Sequence, residues 1–156
     1  MSTKRLRARV PSARVVSLAT LNEHDLRFHK RSEDGSGKCD IYETSNSEHS
    51  VIGVVFDICE SEKLELDRKE GLGLGYDQKW VNLVSPSGSR IHAITYFAID
   101  IVPNLTPYHW YKHHVLMGAR ENGLPKEYIN KINAIESMSD HNVEREIHEM
   151  AIYDGS

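Results

Sequence analysis

Apolar positions along this chain change rhythm near residue 100. Before it they come in short runs, alternating or continuous, between polar clusters rich in glycine, serine and asparagine; after it they recur every three to four residues. The first rhythm is that of strands and the second that of helices. Ser2 is a fitting N-cap for a short helix through Arg9, which Val10–Pro11 ends. ARVVSLATL then predicts a strand, interrupted by NEHD and resumed in LRFHK. RSEDGSGK is a turn in which Gly35 and Gly37 can take positive φ, and KCDIYE is a short strand. SVIGVVFDI is so continuously apolar that it predicts a strand buried on both faces. ESEKLELDRKE predicts a helix with Leu64 and Leu66 facing inward and Gly71 at its stop. KWVNLVS and RIHAITYFAID predict a hairpin around SPSG.

Thr106 and Pro107 open a helix over PYHWYKHHVLMGARENG that Gly123 ends, and Pro125 opens PKEYINKINAIE. After the polar SMSDHN, VEREIHEMAIY is a last amphipathic stretch that can pack back, sit at an interface or fray. The order of elements gives a mixed α+β class: a small curved, barrel-like sheet flanked by helices. At 156 residues the chain is expected to form one domain with a sizeable core.

Composition adds exclusions. A charged fraction of 27% and a net charge of −4 are ordinary, and the bulk field favours neither nucleic acid nor an anionic membrane as partner. No apolar run reaches the roughly 18–20 residues that span a bilayer. Cys39 and Cys59 fit no zinc or CxxC spacing, so both are read as small buried hydrophobes in a reduced intracellular compartment. The start is basic, with Lys4, Arg5, Arg7, Arg9 and Arg14 and no acid before Glu23. That composition suits a mitochondrial presequence or a short basic helix.

Candidate chemistry is sparse. His109 and His113 stand four apart on one predicted helix, a spacing that lets two imidazoles share a metal. HWYKH lacks the glutamate of HExxH and no third ligand is evident, so these histidines are read as packing or surface residues and no metal is expected. GLGLG follows a helix rather than a strand, the wrong setting for a dinucleotide or phosphate loop, and no GxSxG elbow is present. Glu70 remains, directly before Gly71, Gly73 and Gly75. Locally it is the last polar residue of a helix, at the end where the macrodipole disfavours a negative charge. Added to partial burial, the same dipole would raise its pKa and suit it to act as a base. Both readings stay open on local grounds.

Several segments, in order, resemble the γ-glutamylcyclotransferase family. VPSARVVSLATLNEHDLRF is similar to its first long strand with Pro-x-Ala ahead of it, and DGSGKCDIY to its glycine-rich turn and short strand. VIGVVFDI and LELDRKEG look like its V-x-G-V-x-(Y/F) strand and L-D-x-x-E-G segment. YHWYKHHVLMGARENGLPKEY follows its Y-x-x-x-x-x-x-G-A-x-E-x-G-L-P-x-x-Y region almost position by position. The resemblance covers residues 1–136 as one domain, with 137–156 as a helical tail. It implies that Glu70 is the catalytic acid/base, that Tyr111 and Tyr76 bind substrate, and that Ser2–Arg9 is the family's first helix rather than a presequence.

The resemblance further implies an intramolecular cyclisation that releases 5-oxoproline from a small-molecule γ-glutamyl substrate. No cofactor is expected, and the protein is placed in the cytoplasm, in glutathione metabolism, as a homodimer. The family opens with an apolar strand ending in Tyr-Gly-Ser-Asn, and this chain begins at the following residue. The resemblance therefore implies that the opening loop is not in this sequence and that turnover is weak. Met1 is an internal start, or the sequence is cut from a longer one, or the protein lacks the loop, and the first reading is favoured. A catalytically silent ligand-binding or interaction module of the same fold is the alternative.

Overall fold

The computed structural model describes residues 2–153. Helix α1 (Thr3–Arg7) begins where expected, with the Ser2 hydroxyl accepting the Arg5 amide at 3.2 Å, and ends two residues earlier than the sequence suggests. Six strands follow: β1 (Arg14–Asn22), β2 (His24–Arg31), β3 (Gly37–Glu43), β4 (Ser50–Asp57), β5 (Tyr76–Val84) and β6 (Arg90–Ala98). Between β4 and β5 lies α2 (Glu60–Glu70), and the chain then forms α3 (His109–Glu121), α4 (Lys126–Asn133) and α5 (Val143–Ala151).

The sheet order is β4-β1-β5-β6, all antiparallel, with β2 and β3 as a separate hairpin. The hairpin lies beside both sheet edges, β2 near β4 and β3 near β6. The strands curve like a barrel, but their ladder does not close, and between β1 and β5 it is reduced to the pair Thr20–Val84. An apolar groove of about 780 Å³ is lined there by Val16, Leu21, Val51, Val81, Leu83 and Ile94 among others.

Two apolar clusters hold the layers. Leu116, Ala119, Leu124, Tyr128 and Ile132 of the α3–α4 unit pack on Leu18, Leu26, Ile52 and Val54 of the strands. Leu6, Val10, Ala13 and Leu66 form the second, against Phe56, Ile58 and Tyr96. This second cluster matters for function, because it pins the α1 turn to α2.

Five sequence expectations are corrected. Leu66 is buried but Leu64 is 69% exposed, since two positions two apart on a helix point about 200° away from each other. β4 is an edge strand with only Val51 buried, so its apolar run serves the groove on one side and the α3–α4 cluster on the other. Cys59 is exposed as the N-cap of α2, whereas Cys39 is half-buried. Tyr108, not Thr106, is the N-cap of α3, so Pro107 lies before the helix, where it is fully buried. Gly35 takes φ +80°, as a turn requires; Gly37 does not, and is needed because a Cβ there would crowd the Phe28 carbonyl oxygen.

Helix α5 packs on α3 through polar anchors. Asp140, 3% exposed, accepts bonds from Trp110 Nε1 (2.8 Å), the Asn142 amide (2.8 Å) and the Arg145 fork. His114, equally buried, donates from Nε2 to Glu149 (2.8 Å) and accepts at Nδ1 from the Tyr153 hydroxyl (2.8 Å). Burial pushes the His114 pKa down, which favours this neutral form. The groups facing each other here, Glu149 and Asp140 with depressed pKa and His114 with a lowered one, all bind more protons when unfolded. Stability from these contacts is thus present at neutral pH and lost as pH falls, first below the free-histidine pKa and then through the carboxylate range. Amide hydrogen exchange of α5, corrected for its intrinsic pH dependence, should become measurably less protected on acidification toward pH 5, while that of the β-strands should not.

Candidate active site

Glu70 is the last residue of α2, and Gly71 caps the helix in the left-handed conformation (φ 73°, ψ 45°), its N–H reaching back to Arg68 and Asp67. A residue with a Cβ is strained in that conformation, so the glycine is what lets the chain turn immediately after the glutamate. The loop then curls on itself: the Gly71 carbonyl accepts the amides of Leu74 (3.0 Å) and Gly75 (3.1 Å), and Gly73 donates to the Tyr76 carbonyl (2.8 Å). Asp67, one turn before Glu70, fixes the rotation of α2 by accepting the Tyr96 hydroxyl of β6 at 2.6 Å and the Lys63 ammonium.

The Glu70 side chain is 17% exposed, and Arg9 Nη1 lies 3.3 Å from its Oε1. Burial pushes its pKa up; Arg9 first, then Arg5 and Lys30, pull it back. The opposition leaves a carboxylate that is easier to protonate than a solvated one, which suits a general base. Removing Arg9 removes the largest restraining charge. An Arg9→Met variant should therefore show its acid limb of activity displaced to higher pH, with the plateau above the limb little changed, in a pH–rate profile of kcat/KM.

Tyr76 and Tyr111 come from two other elements and feel the Glu70 charge. The Tyr76 hydroxyl donates to the Cys39 carbonyl at 2.6 Å, and the Cys39 amide donates to the Tyr111 hydroxyl at 3.1 Å. Two tyrosines that are 35 residues apart in sequence thus hold the two ends of one residue's backbone in β3. Burial raises both phenol pKa values, Tyr111 and Tyr76 each further lifted by neighbouring negative charge that includes Glu70, so both stay protonated. Phe28 packs edge-on to Tyr111 (6.2 Å) and the Lys38 ammonium stands 4.7 Å from the same ring. Lys38 in turn pairs with Asp34 at 3.1 Å, whose pKa the Ser36 and Lys38 contacts hold down at about 2 against the upward push of burial.

Of the residues marked in sequence, Tyr76 and Tyr111 therefore come together on Cys39, within electrostatic range of Glu70. Sequence reasoning missed Arg9, Asp67 and Lys30. Asp67 had a usable signal, three residues before Glu70 and so on the same helical face; Arg9 had none beyond sitting in a basic stretch. His109 and His113 do not join the site: His109 pairs with Ser137 (2.8 Å) and His113 packs on Tyr153 (5.3 Å). Among the described residues no group of three His, Cys, Asp or Glu side chains is placed to hold a metal. No described helix is long and apolar enough to cross a membrane.

The AIG2-like family matches residues 50–132, which include Glu70, Tyr76 and Tyr111. The γ-glutamylcyclotransferase of Bos taurus is 36% identical over 140 residues, covering 86% of this chain and 73% of the bovine protein. That of Homo sapiens is 33% identical over the same shares. A solved structure of a γ-glutamyl cyclotransferase superposes with a TM-score of 0.81 at 29% identity, over 95% of this chain and 92% of that one.

Proposed function

This chain belongs to the γ-glutamylcyclotransferase family, and from that premise we propose that it cyclises a γ-glutamyl amino acid or amine to 5-oxoproline with Glu70 as its acid/base. It is a γ-glutamylcyclotransferase-like enzyme. The observation that carries the role of Glu70 is its setting: a largely buried carboxylate with raised pKa at a glycine-capped helix end, beside two protonated tyrosines.

The chemistry balances without water. Glu70 as carboxylate takes a proton from the α-ammonium of the γ-glutamyl group. The freed amine attacks the γ-carbonyl carbon, a C–N bond forms within the substrate, and a tetrahedral oxyanion develops. The attacking nitrogen, now cationic, gives up a second proton, and collapse breaks the original amide bond as Glu70 passes a proton to the departing nitrogen. In all, two protons leave the α-nitrogen, so the ring closes as a neutral lactam and the leaving group departs as an ammonium. The products are 5-oxoproline and a free amino acid or amine. Nucleophile and electrophile share one molecule, so positioning supplies much of the acceleration. Tyr76 and Tyr111 support this by holding a flat, rigid wall across the Cys39 peptide against which the folded substrate can rest.

A cytoplasmic location, a homodimer and a place in glutathione metabolism belong to this reading through the family resemblance. The test is direct. The chain is incubated with a γ-glutamyl dipeptide, and 5-oxoproline and free amino acid are quantified together. Equimolar appearance of both supports the reading, while free glutamate in place of 5-oxoproline would identify a hydrolase and sink it.

A further inference from the structure

Lysine 30 is the cation of this site that lacks a counter-charge. Its backbone in β2 is tied to Ile101, and its side chain runs up beneath the glycine loop. A Cβ built on Gly75 would lie 2.5 Å from Lys30 Cε and 2.6 Å from its Nζ, so the absence of a side chain at Gly75 is what seats the ammonium. The same Nζ stands 5.2 Å from the centre of the Tyr76 ring, and its charge bears on the Glu70 carboxylate. Other lysines are neutralised: Lys38 by Asp34, Lys63 by Asp67, Lys79 by Glu43 and Lys131 by Asp25. Arg9 is neutralised by Glu70 itself. Among the described residues, Lys30 Nζ has neither a salt bridge nor a hydrogen bond.

A half-buried ammonium held against a glycine and an aromatic face, without an anion of its own, is built to receive one. Resting on the reading above, we propose that Lys30 binds a carboxylate of the γ-glutamyl substrate and is a specificity-determining residue of this site. Every γ-glutamyl compound carries the α-carboxylate of its glutamyl group, and a γ-glutamyl amino acid carries a second on the leaving residue. Either would be brought by Lys30 within reach of Glu70, whose own partner in the substrate is the α-ammonium. Glu70 and Lys30 then read opposite charges on one zwitterionic ligand.

Two variants separate the charge from the packing. Lys30→Met keeps the apolar stem over Tyr76 and removes the ammonium. Gly75→Ala leaves the ammonium in place chemically but pushes it from its seat, at a φ that alanine can adopt. Binding is measured by calorimetry with Glu70→Gln added to each protein so that the ligand is not consumed, and kcat and KM by 5-oxoproline release with Glu70 in place. The ligands are γ-glutamylalanine and γ-glutamylethylamine, which differ by the leaving-group carboxylate. Lys30→Met is expected to weaken binding and raise KM by about 10- to 100-fold, the worth of one charged hydrogen bond, with kcat changed by less than about threefold. A loss confined to γ-glutamylalanine assigns the leaving-group carboxylate, and an equal loss on both assigns the glutamyl α-carboxylate. Gly75→Ala should weaken binding with Lys30 in place and add nothing in Lys30→Met.

Binding of both ligands unchanged within about threefold in Lys30→Met would overturn the assignment, and additive losses in the double variant would overturn the Gly75 seat. Wild-type binding without 5-oxoproline release would instead count against the cyclisation while leaving the Lys30 comparison readable.

Discussion

Replacing Glu70 by glutamine is expected to lower 5-oxoproline release by about 10²–10⁴-fold, the usual contribution of a positioned acid/base. Glutamine keeps the shape and can still accept from Arg9, but it cannot take a proton from the α-ammonium. The loss should therefore fall on kcat, with binding of the γ-glutamyl compound retained. Stability should hardly move. The folded Glu70 pKa lies above its unfolded value, so above that folded pKa the ionised group costs stability, and a neutral amide escapes this cost while forfeiting the Arg9 ion pair. The melting temperature is expected to stay within about 2–4 °C of the parent, equivalent to roughly 1 kcal/mol. A silent binding module would bind equally in both forms and release nothing in either, so the pair of proteins also decides between the two functional readings.

Gly37→Ala is expected to be the most damaging small substitution in the fold. A methyl there would lie 2.2 Å from the Phe28 carbonyl oxygen and 3.1 Å from Leu105 Cβ. The first of these is backbone and cannot swing aside, so β2 and β3 would have to separate or Gly37 would have to give up its 3.0 Å bond to the Thr106 carbonyl. The expected loss is at or beyond the upper end of the overpacking range, about 3 kcal/mol. For a chain of 156 residues that lowers Tm by roughly 6–12 °C. Gly35→Asn, two residues away, is the control. Nothing lies within 4 Å of a Cβ at Gly35, and its φ of +80° is near what asparagine tolerates best. Thermal melts ranking Gly35→Asn below Gly37→Ala in damage would confirm close approach, and the reverse order would place the constraint in the turn. The damage would also reach the site, since β2 carries Lys30 and β3 carries Cys39.

What the sequence made legible was local. The Ser2 cap, the left-handed Gly71 after Glu70, the hairpin around Ser85–Gly88 and the start of α4 after Pro125 are all written within a few neighbouring residues. The candidate site was legible through the resemblance carried by L-D-x-x-E-G and Y-x-x-x-x-x-x-G-A-x-E-x-G-L-P. What escaped depends on contacts across the chain. Arg9 meets Glu70 over 61 residues, and Tyr111 meets Cys39 over 72. No periodicity encodes such meetings; they follow from the cluster of Leu6, Val10, Ala13 and Leu66 that seats α1 on α2. The failures at Leu64 and Cys59 have a different origin. Hydrophobicity says that a side chain prefers burial, not that the fold has room for it on that side.

The peptide of Cys39, clamped at both ends by tyrosines, has a bearing on how this protein would meet an oxidant. Burial pushes the Cys39 thiol up to about 12. At neutral pH the thiol therefore stays protonated, and little of it is thiolate, the form that peroxides and electrophiles attack. Its sulfur thus sits in the heart of the site as an inert spacer, and conversion to a sulfenic acid there is disfavoured. Cys59 is exposed on the far end of α2, eleven residues before Glu70, with its amide donating to Ser12 at 2.8 Å. A maleimide should mark Cys59 and leave Cys39 alone. Peroxide stress should then modify the surface of this enzyme without silencing it.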